Sequence, residues 1–282
     1  MRMTSFLAAI LLILFSSPLA AKWDQETRAS DLLSRIQVRV VQLALLANEA
    51  ADGNLDAFNS LKLSRDDIDG MLHRLEHGDP RYGMSGYAEQ DSFKKDLAAV
   101  DVAWVKLNAA VATVLEAKPQ VVGTKETADE FVAMLAVLNS RMDEVVKILV
   151  EKDGSKGQVM IAARQILYAD RMARRVQSIA HGGDEAEAAA NGLQRDAQLY
   201  GVVLAGLIQG STDLNIKPIA NANAREILGD LNKRWATVAP LASKLLDAGP
   251  AVQAARHTAD DIGIDSQTLL LKAELLSRHL HD

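Results

Sequence analysis

The sequence predicts an all-α fold, with two tandem up-down four-helix bundles following an N-terminal signal peptide or anchor. Three observations support this prediction: apolar residues recur with helical periodicity along almost the whole chain, Ala and Leu dominate the apolar set while aromatic residues make up only 4%, and the sequence contains an internal repeat. Ala and Leu lose little conformational freedom on entering a helix, so this composition favours helices over strands. The 282 residues are enough for two hydrophobic cores.

The repeat is clearest in two pentapeptides, TADEF at residues 127–131 and TADDI at residues 258–262. Residues around them match at the same spacing. The matching pairs are Trp104 with Trp235, Leu115 with Leu246, Pro119 with Pro250, and Leu138 with Leu269. A unit this long is a small domain rather than one repeat of a solenoid. The sequence therefore predicts a tandem duplication, with a first helical module at residues 22–153 and a second at residues 157–282.

The first module is predicted to contain four helices because apolar residues recur every three or four positions. These helices cover residues 26–51, 55–77, 91–117 and 124–151. The segment GDPRYGMSGYAEQ is predicted to be a loop from its Gly, Pro and Asp content. Pro119 should stop the third helix, because proline lacks a backbone donor. Thr124 and Thr127 are candidate caps for the fourth helix.

The second module repeats this pattern, with helices predicted over residues 158–180, 185–209, 222–248 and 254–282. A loop is expected through STDLNIKP. The repeated pentapeptides should begin the last helix of each module. Thr127 and Thr258 would cap these helices, and the acidic residues that follow would favour the positive end of the helix dipole. The repeated motif is therefore interpreted as a structural signal and not as a binding motif.

The charge and cysteine content exclude several functional classes. The net charge is −6, which argues against a nucleic-acid partner because phosphate binding requires a basic surface. The chain has no cysteine, which excludes disulfides, thiolate nucleophiles, covalent haem attachment and zinc sites built from cysteine.

Residues 1–21 predict a secretory signal peptide or a membrane anchor. Arg2 precedes the apolar run FLAAILLILF, and the small residues of SSPLAA follow it. Cleavage near Ala21 is favoured over an uncleaved anchor, and both alternatives stay open. In either case we expect a periplasmic protein, tethered to the inner membrane through residues 5–21 if the segment is retained.

The sequence HRLEH at residues 73–77 matches a zinc-peptidase pattern. His73 and His77 would share one face of a helix, as zinc ligands must. The matching positions of the second module carry no histidine, and no further ligand is evident. We therefore predict no metal, no cofactor and no catalytic residue, and a solvated helix end is the preferred interpretation.

A cationic stripe is predicted on the first helix of the second module, within AARQILYADRMARRVQSIA at residues 162–180. Arg164, Tyr168, Arg171 and Arg175 lie within about 40° of one line on a helix, and small apolar residues occupy the opposite face. We call these four residues the arginine stripe. It is expected to face solvent or a partner, either as a solvated face or as a site for anions, which arginine recognises well.

The first module carries a poorer version of this stripe. It consists of Arg35, Arg39 and Gln42, opposite a face of apolar residues. These three residues form a weaker candidate ligand site.

At these residues the sequence resembles the PilJ-type sensory domain, the N-terminal periplasmic region of type IV pilus methyl-accepting chemotaxis transducers. The segments that carry the resemblance are RQILYADRM, LANEAADGNLDAF, RDAQLYGVVLAGLIQG and SQTLLLKAELL, and it covers nearly all of residues 28–280. That family has two tandem helical modules related to the P-box domain of nitrate/nitrite sensors, in which an arginine binds the anion at a dimer interface. The resemblance implies Arg164, Gln165 and Arg171 as ligand-binding residues.

The resemblance implies a non-enzymatic sensory module of type IV pilus chemosensory signalling. A small anion or a peptide or pilin ligand would change helix packing or dimerisation, and a homodimer and a membrane signalling partner are expected. In the first module IQVRVVQLALL replaces the family's polar run, which makes the site there the weaker one. The chain is expected to be either the sensory part of a receptor or a free-standing exported relative. The alternative function is a structural or adaptor protein of the cell envelope without a small-molecule ligand.

Overall fold

The computed structural model describes residues 18–152 and 154–280. The helices are α1 (Pro18–Ala51), α2 (Leu55–His77), α3 (Asp91–Glu116), α4 (Lys118–Glu151), α5 (Lys156–His181), α6 (Ala186–Gln209) and α7 (Ala222–His279). The predicted all-α helical bundle fold is confirmed, because the described chain is almost entirely helical. The predicted signal peptide or anchor at residues 1–21 lies almost wholly outside the described residues.

The predicted ends of four helices agree with the structure to within about two residues, which is the usual uncertainty of helix ends. These helices are α2, α3, α5 and α6. The predicted loop of residues 78–90 contains two short antiparallel strands, β1 (Gly78–Asp79) and β2 (Met84–Ser85). A single 3-10 turn at Pro80–Tyr82 connects them, and Gly83 ends that turn in the left-handed conformation, with a φ of 60°.

The last two predicted helices, over residues 222–248 and 254–282, are in fact one helix, so this part of the prediction is wrong. The helix α7 is 58 residues long and continues through Pro250. A proline removes one backbone hydrogen bond, but it does not remove the apolar contacts on either side. Leu245 and Val252 are both completely buried, one before and one after the proline, and their burial keeps both segments in one helix.

The repeated pentapeptides do not begin helices, so the capping role predicted for them is wrong. Thr127 lies well inside α4, and its hydroxyl donates to the carbonyl of Gly123 at 2.7 Å. Thr258 lies inside α7, and its hydroxyl donates to the carbonyl of Ala254 at 2.9 Å. Threonine within a helix commonly bonds the carbonyl four residues earlier, so the two copies share a local bond rather than a cap. Thr124, the other candidate cap, is buried within α4.

The chain divides into two compact units whose limits differ from the predicted modules. Among the described residues, unit 1 comprises residues 18–47, 56–112 and 260–280, and unit 2 comprises residues 48–55, 113–152 and 154–259. The difference arises because α4 shares its core with α5, α6 and the first part of α7. The module limits of 22–153 and 157–282 describe the sequence duplication, and in that sense they stay a prediction.

Unit 2 has a core to which all four of its helical segments contribute. Its largest completely buried side chains include Phe131, Leu135 and Leu138 of α4 and Tyr200 of α6. Tyr200 packs against Trp235 of α7, with ring centroids 4.5 Å apart. The buried residues of α5 are Ala162, Gln165, Ala169, Met172, Val176 and Ile179, and the two alanines allow close packing against the neighbouring helices.

Unit 1 is held together by buried apolar residues of α1, α2, α3 and the last part of α7, and by polar bonds between them. The indole nitrogen of Trp104 donates to Asp69 at 3.1 Å, which joins α3 to α2. The ammonium of Lys106 donates to Asp265 at 2.7 Å, which joins α3 to α7. This hydrogen bond to Asp265 raises the pKa of Lys106.

Within the part of the chain that the structure describes, α3 is the one helix long and apolar enough to cross a membrane. Val100, Trp104 and Leu107 on this helix are buried within unit 1. Core helices of water-exposed domains have the same length and composition, and the burial of these three residues makes α3 a core helix of unit 1.

The turn between α5 and α6 provides a test of the fold. Gly182 ends α5 with a φ of 72°, and a Cβ added there would lie 2.8 Å from the carbonyl oxygen of Val252 in α7. Gly182→Ala should therefore lower the free energy of unfolding by about 1–2 kcal/mol, the cost of a left-handed non-glycine residue. Urea unfolding followed by circular dichroism measures this change.

The matched control is Gly229→Ala in α7, where an added Cβ meets nothing within 4 Å. This substitution should raise the free energy of unfolding by about 0.5–1 kcal/mol, because alanine is the better helix former. Equal effects of the two substitutions would contradict the described turn.

Candidate functional site

The helix α5, which carries the arginine stripe, has well-defined ends. Ser155 and Gln158 form a capping box, in which each side chain accepts a hydrogen bond from the backbone N–H of the other residue. Gln158 also donates to the carbonyls of Lys217 and Pro218, which fixes the start of the helix against the loop before α7. These bonds set the rotation of α5, and with it the direction in which the arginine stripe faces.

Two arginines of the stripe bind one buried carboxylate on α6. Arg171 donates to Oδ1 of Asp196 at 2.5 Å, and Arg175 donates to Oδ2 of the same residue. The side chain of Asp196 is only 6% exposed, whereas that of Arg171 is 44% exposed. The pairing satisfies a carboxylate that would otherwise be costly to bury.

A glycine on α6 makes room for this arrangement. A Cβ added to Gly192 would lie 2.3 Å from the Cζ atom of Arg175. The guanidinium of Arg175 therefore lies directly against the backbone of α6, and any side chain at position 192 would displace it.

The arginine stripe thus differs from the prediction that all of it faces solvent or a partner. Arg175 is largely covered by α6, and Arg171 lies with its guanidinium carbon 4.8 Å from the ring centre of Tyr168. Arg164 is exposed and has no ion-pair partner among the described residues. The physical reason is that the stripe lies at the boundary between α5 and α6, so its C-terminal part is used for helix packing.

Gln165, a candidate ligand-binding residue, is completely buried in unit 2. Both polar atoms of its amide lack a hydrogen-bond partner among the described protein atoms. The hydroxyl of Tyr200 is also buried without a partner, and burial raises its pKa. A ligand could reach Gln165 only if α5 moved away from its neighbours.

The weaker candidates lie on the exposed side of α1. Arg39 pairs with Asp67 of α2 at 3.0 Å and also donates to Gln42 at 3.0 Å. The Nε atom of Arg35 pairs with Asp31 at 3.0 Å, one turn earlier on the same helix. The structure brings these three candidates together along one groove.

We call this groove, which lies between α1, α2 and the hairpin in unit 1, the arginine groove. One part has a volume of about 570 Å³ and the other about 650 Å³. The charged residues that line it are Arg28, Asp31, Arg35, Arg39, Asp67, Arg74, Asp79 and Arg81. Arg35 and Arg74 line both parts, so the two parts lie side by side along α1.

Sequence reasoning missed Asp196 and Arg74. Asp196 occupies a position on the apolar face of α6, three residues after Leu193 and four before Tyr200, and an acidic residue at such a position is a signal that could have identified it. Arg74 lies between the two histidines of the zinc-peptidase pattern. The rings of His73 and His77 lie 4.6 Å apart, and no cluster of three or more metal-binding side chains occurs among the described residues.

The chain is similar to two curated proteins. It is 29% identical over 242 residues to protein PilJ of Pseudomonas aeruginosa. The aligned region covers 86% of this chain and 35% of PilJ. The predicted resemblance to PilJ is confirmed. The chain is also 28% identical over 276 residues to a protein of Alcanivorax borkumensis named as methyl-accepting chemotaxis AlkN. This aligned region covers 97% of the chain and 39% of AlkN.

This PilJ-like chain thus spans well under half the length of both relatives. No protein-family model matches it. A comparison with solved structures found the TorS sensor domain, in a crystal structure of its complex with TorT in the presence of TMAO. The match covers 93% of the present chain at 11% sequence identity. The TM-score is 0.36, which does not establish a shared fold.

The shared carboxylate of the PilJ-like chain leads to a prediction about stability. Asp196→Asn keeps the shape of the side chain but removes the charge that holds Arg171 and Arg175. The free energy of unfolding should fall by about 1.5 kcal/mol. This value is at the lower end of what hydrogen bonds to charged groups contribute to stability, because the arginines remain partly exposed. Asp247→Asn is the control, because Asp247 is exposed on α7 and forms no ion pair within the described chain. Equal stability of the two variants would contradict the pairing.

The buried amide of Gln165 gives an opposite prediction. Gln165→Leu should raise the free energy of unfolding by about 1–2 kcal/mol, because leucine fills a similar volume without burying unpaired polar atoms. Chemical unfolding of the variant and the parent chain measures the difference. A fall in stability would show that the amide is hydrogen-bonded in solution.

Proposed function

We propose that the chain is a periplasmic, non-enzymatic sensory module of type IV pilus chemosensory signalling. The observation that carries this proposal is the similarity to PilJ over 86% of the chain, and the similarity to AlkN supports it independently. AlkN is named as a methyl-accepting chemotaxis protein, which supports a chemotaxis or pilus signalling role. The predicted export segment at residues 1–21 is consistent with a periplasmic location.

The proposed mechanism depends on the contact between α5 and α6. Arg171 and Arg175 bind Asp196 in the described state, and both arginines retain some exposure. A carboxylate from a small anion, or from a peptide or pilin, would compete with Asp196 for these guanidiniums. Loss of the pairing would leave a buried carboxylate unsatisfied, so the packing of α5 on α6 would shift.

Arg164 extends this proposal to a dimer. It is exposed on the same stripe, and two copies of α5 meeting at a two-fold axis would bring their arginines together. Like charges would resist such a dimer, and a bound anion would reduce the repulsion. Ligand binding and dimerisation would then be coupled, and a membrane partner would respond to the change.

Deletion of the coding region in the host organism tests this function. We expect surface pili to be assembled normally, while the directional response of pilus-driven surface motility is lost. The reason is that a sensory module controls the response and does not build the pilus. Pili are counted by electron microscopy, and movement of single cells is tracked in a chemical gradient.

Complementation of the deletion strain with variants tests the role of the contact between α5 and α6. The parent chain and Asp247→Asn should restore the directional response, whereas Asp196→Asn should leave it altered because the contact between α5 and α6 is changed. Loss of the pili themselves would favour the structural or adaptor alternative. A directional response that is unaffected by the deletion would refute the sensory proposal.

A further inference from the structure

We infer that the arginine groove of unit 1 binds a small dicarboxylate. This inference rests on the proposed sensory function, and it assigns a ligand class to a site that centres on Arg74 rather than on the arginine stripe.

Arg35 and Arg74 are held so that part of each guanidinium stays available. The Nε atom of Arg35 bonds Asp31, and the Nε atom of Arg74 donates to the carbonyl of Gly70 at 3.0 Å. The Nη atoms of both residues have no partner within the described chain. Since a guanidinium presents its two Nη atoms as a fork that matches a carboxylate, each of these residues can bind one carboxylate group.

The groove has more positive than negative charge. Three of its arginines pair with its three aspartates, which are Asp31, Asp67 and Asp79. Arg74 has no carboxylate partner, although it lines both parts of the groove beside Arg35. Because the chain as a whole has a net charge of −6, this local excess of positive charge stands out from the remaining surface.

The hairpin lines one part of the groove and brings another arginine to it. Asp79 is buried and accepts hydrogen bonds from the backbone N–H of Arg81 at 3.0 Å and from its side chain at 3.4 Å. An added Cβ on Gly83 would lie 3.4 Å from a terminal nitrogen of Arg28. The hairpin and α1 therefore place cationic groups around the same space.

The size of the groove and the weakness of its internal ion pairs fit a small ligand. Volumes of about 570 and 650 Å³ fall within the usual range for small-molecule sites. The pairs of Arg35 with Asp31 and of Arg39 with Asp67 are largely exposed, so they contribute little stability and exchange easily. A dicarboxylate supplies two groups for the two forks, whereas a monocarboxylate supplies one.

Isothermal titration calorimetry of the purified full chain tests the inference, with succinate as the probe. We expect succinate to bind with a Kd below about 1 mM at physiological ionic strength. Acetate should bind at least about tenfold more weakly, because it engages one fork instead of two. Inorganic phosphate is the comparison for a general anion site, and it should also bind more weakly.

The variants Arg74→Gln and Arg35→Gln should each weaken succinate binding by at least about tenfold, because each removes one charged fork. Arg225→Gln is the matched control, since Arg225 is exposed at the start of α7 in unit 2. Circular dichroism establishes that each variant is folded, and two independent variants guard against the failure of one of them to fold.

Several outcomes would overturn the dicarboxylate site. These are the absence of succinate binding, phosphate binding as tight as that of succinate, and binding that survives both arginine substitutions. If any of them occurs while deletion still abolishes directional motility, the groove is not the site and the sensory function stands. Succinate binding that depends on Arg74, together with unchanged motility, would support the groove and contradict the sensory function.

Discussion

Each helix of this chain must bury one apolar face against its neighbours, and the remaining features of the structure depend on this constraint. In α5 the buried face is mainly apolar, and its packing, together with the capping bonds of Ser155 and Gln158, determines which side of the helix faces α6. Arg171 and Arg175 are thereby brought to the boundary with α6, where Asp196 binds both of them. The placement of charge in unit 2 is thus a consequence of the apolar packing. The same constraint carries α7 through Pro250, because burial on both sides outweighs one lost backbone hydrogen bond.

The two copies of the predicted repeat use their arginines in similar ways. Arg39 on α1 pairs with Asp67 on α2, and Arg171 on α5 pairs with Asp196 on α6. In both cases the first helix of a copy is joined to the second by an arginine and a carboxylate. The difference lies in burial, because Asp67 is half exposed whereas Asp196 is almost fully buried. Breaking the exposed pair lowers the free energy of unfolding only slightly, whereas breaking the buried pair leaves a buried charge without a partner.

Most of the fold could be predicted from the sequence, because helical periodicity and Gly- and Pro-rich loops are local signals. The continuity of α7 could not, since the effect of Pro250 depends on contacts made by distant residues. The role of Thr127 was misjudged for a similar reason: a threonine followed by acidic residues is typical of a helix start, and only the surrounding backbone shows that it lies inside α4. At the candidate site, helical spacing grouped the stripe residues on one face. It could not show that Asp196 would bind two of them, nor that Gln165 would be completely buried.

The close contact between Gly192 and Arg175 restricts how this sequence can change over time. Any side chain at position 192 would occupy the space of the guanidinium, so a larger residue there requires either a shorter residue at position 175 or a displaced Arg175 side chain. The two positions are therefore expected to vary together among homologues, and the order of substitution matters. Shortening Arg175 first leaves one arginine on Asp196, whereas enlarging Gly192 first expels a charged group from its packed position. Mutational paths between divergent relatives should accordingly pass through the first of these intermediates.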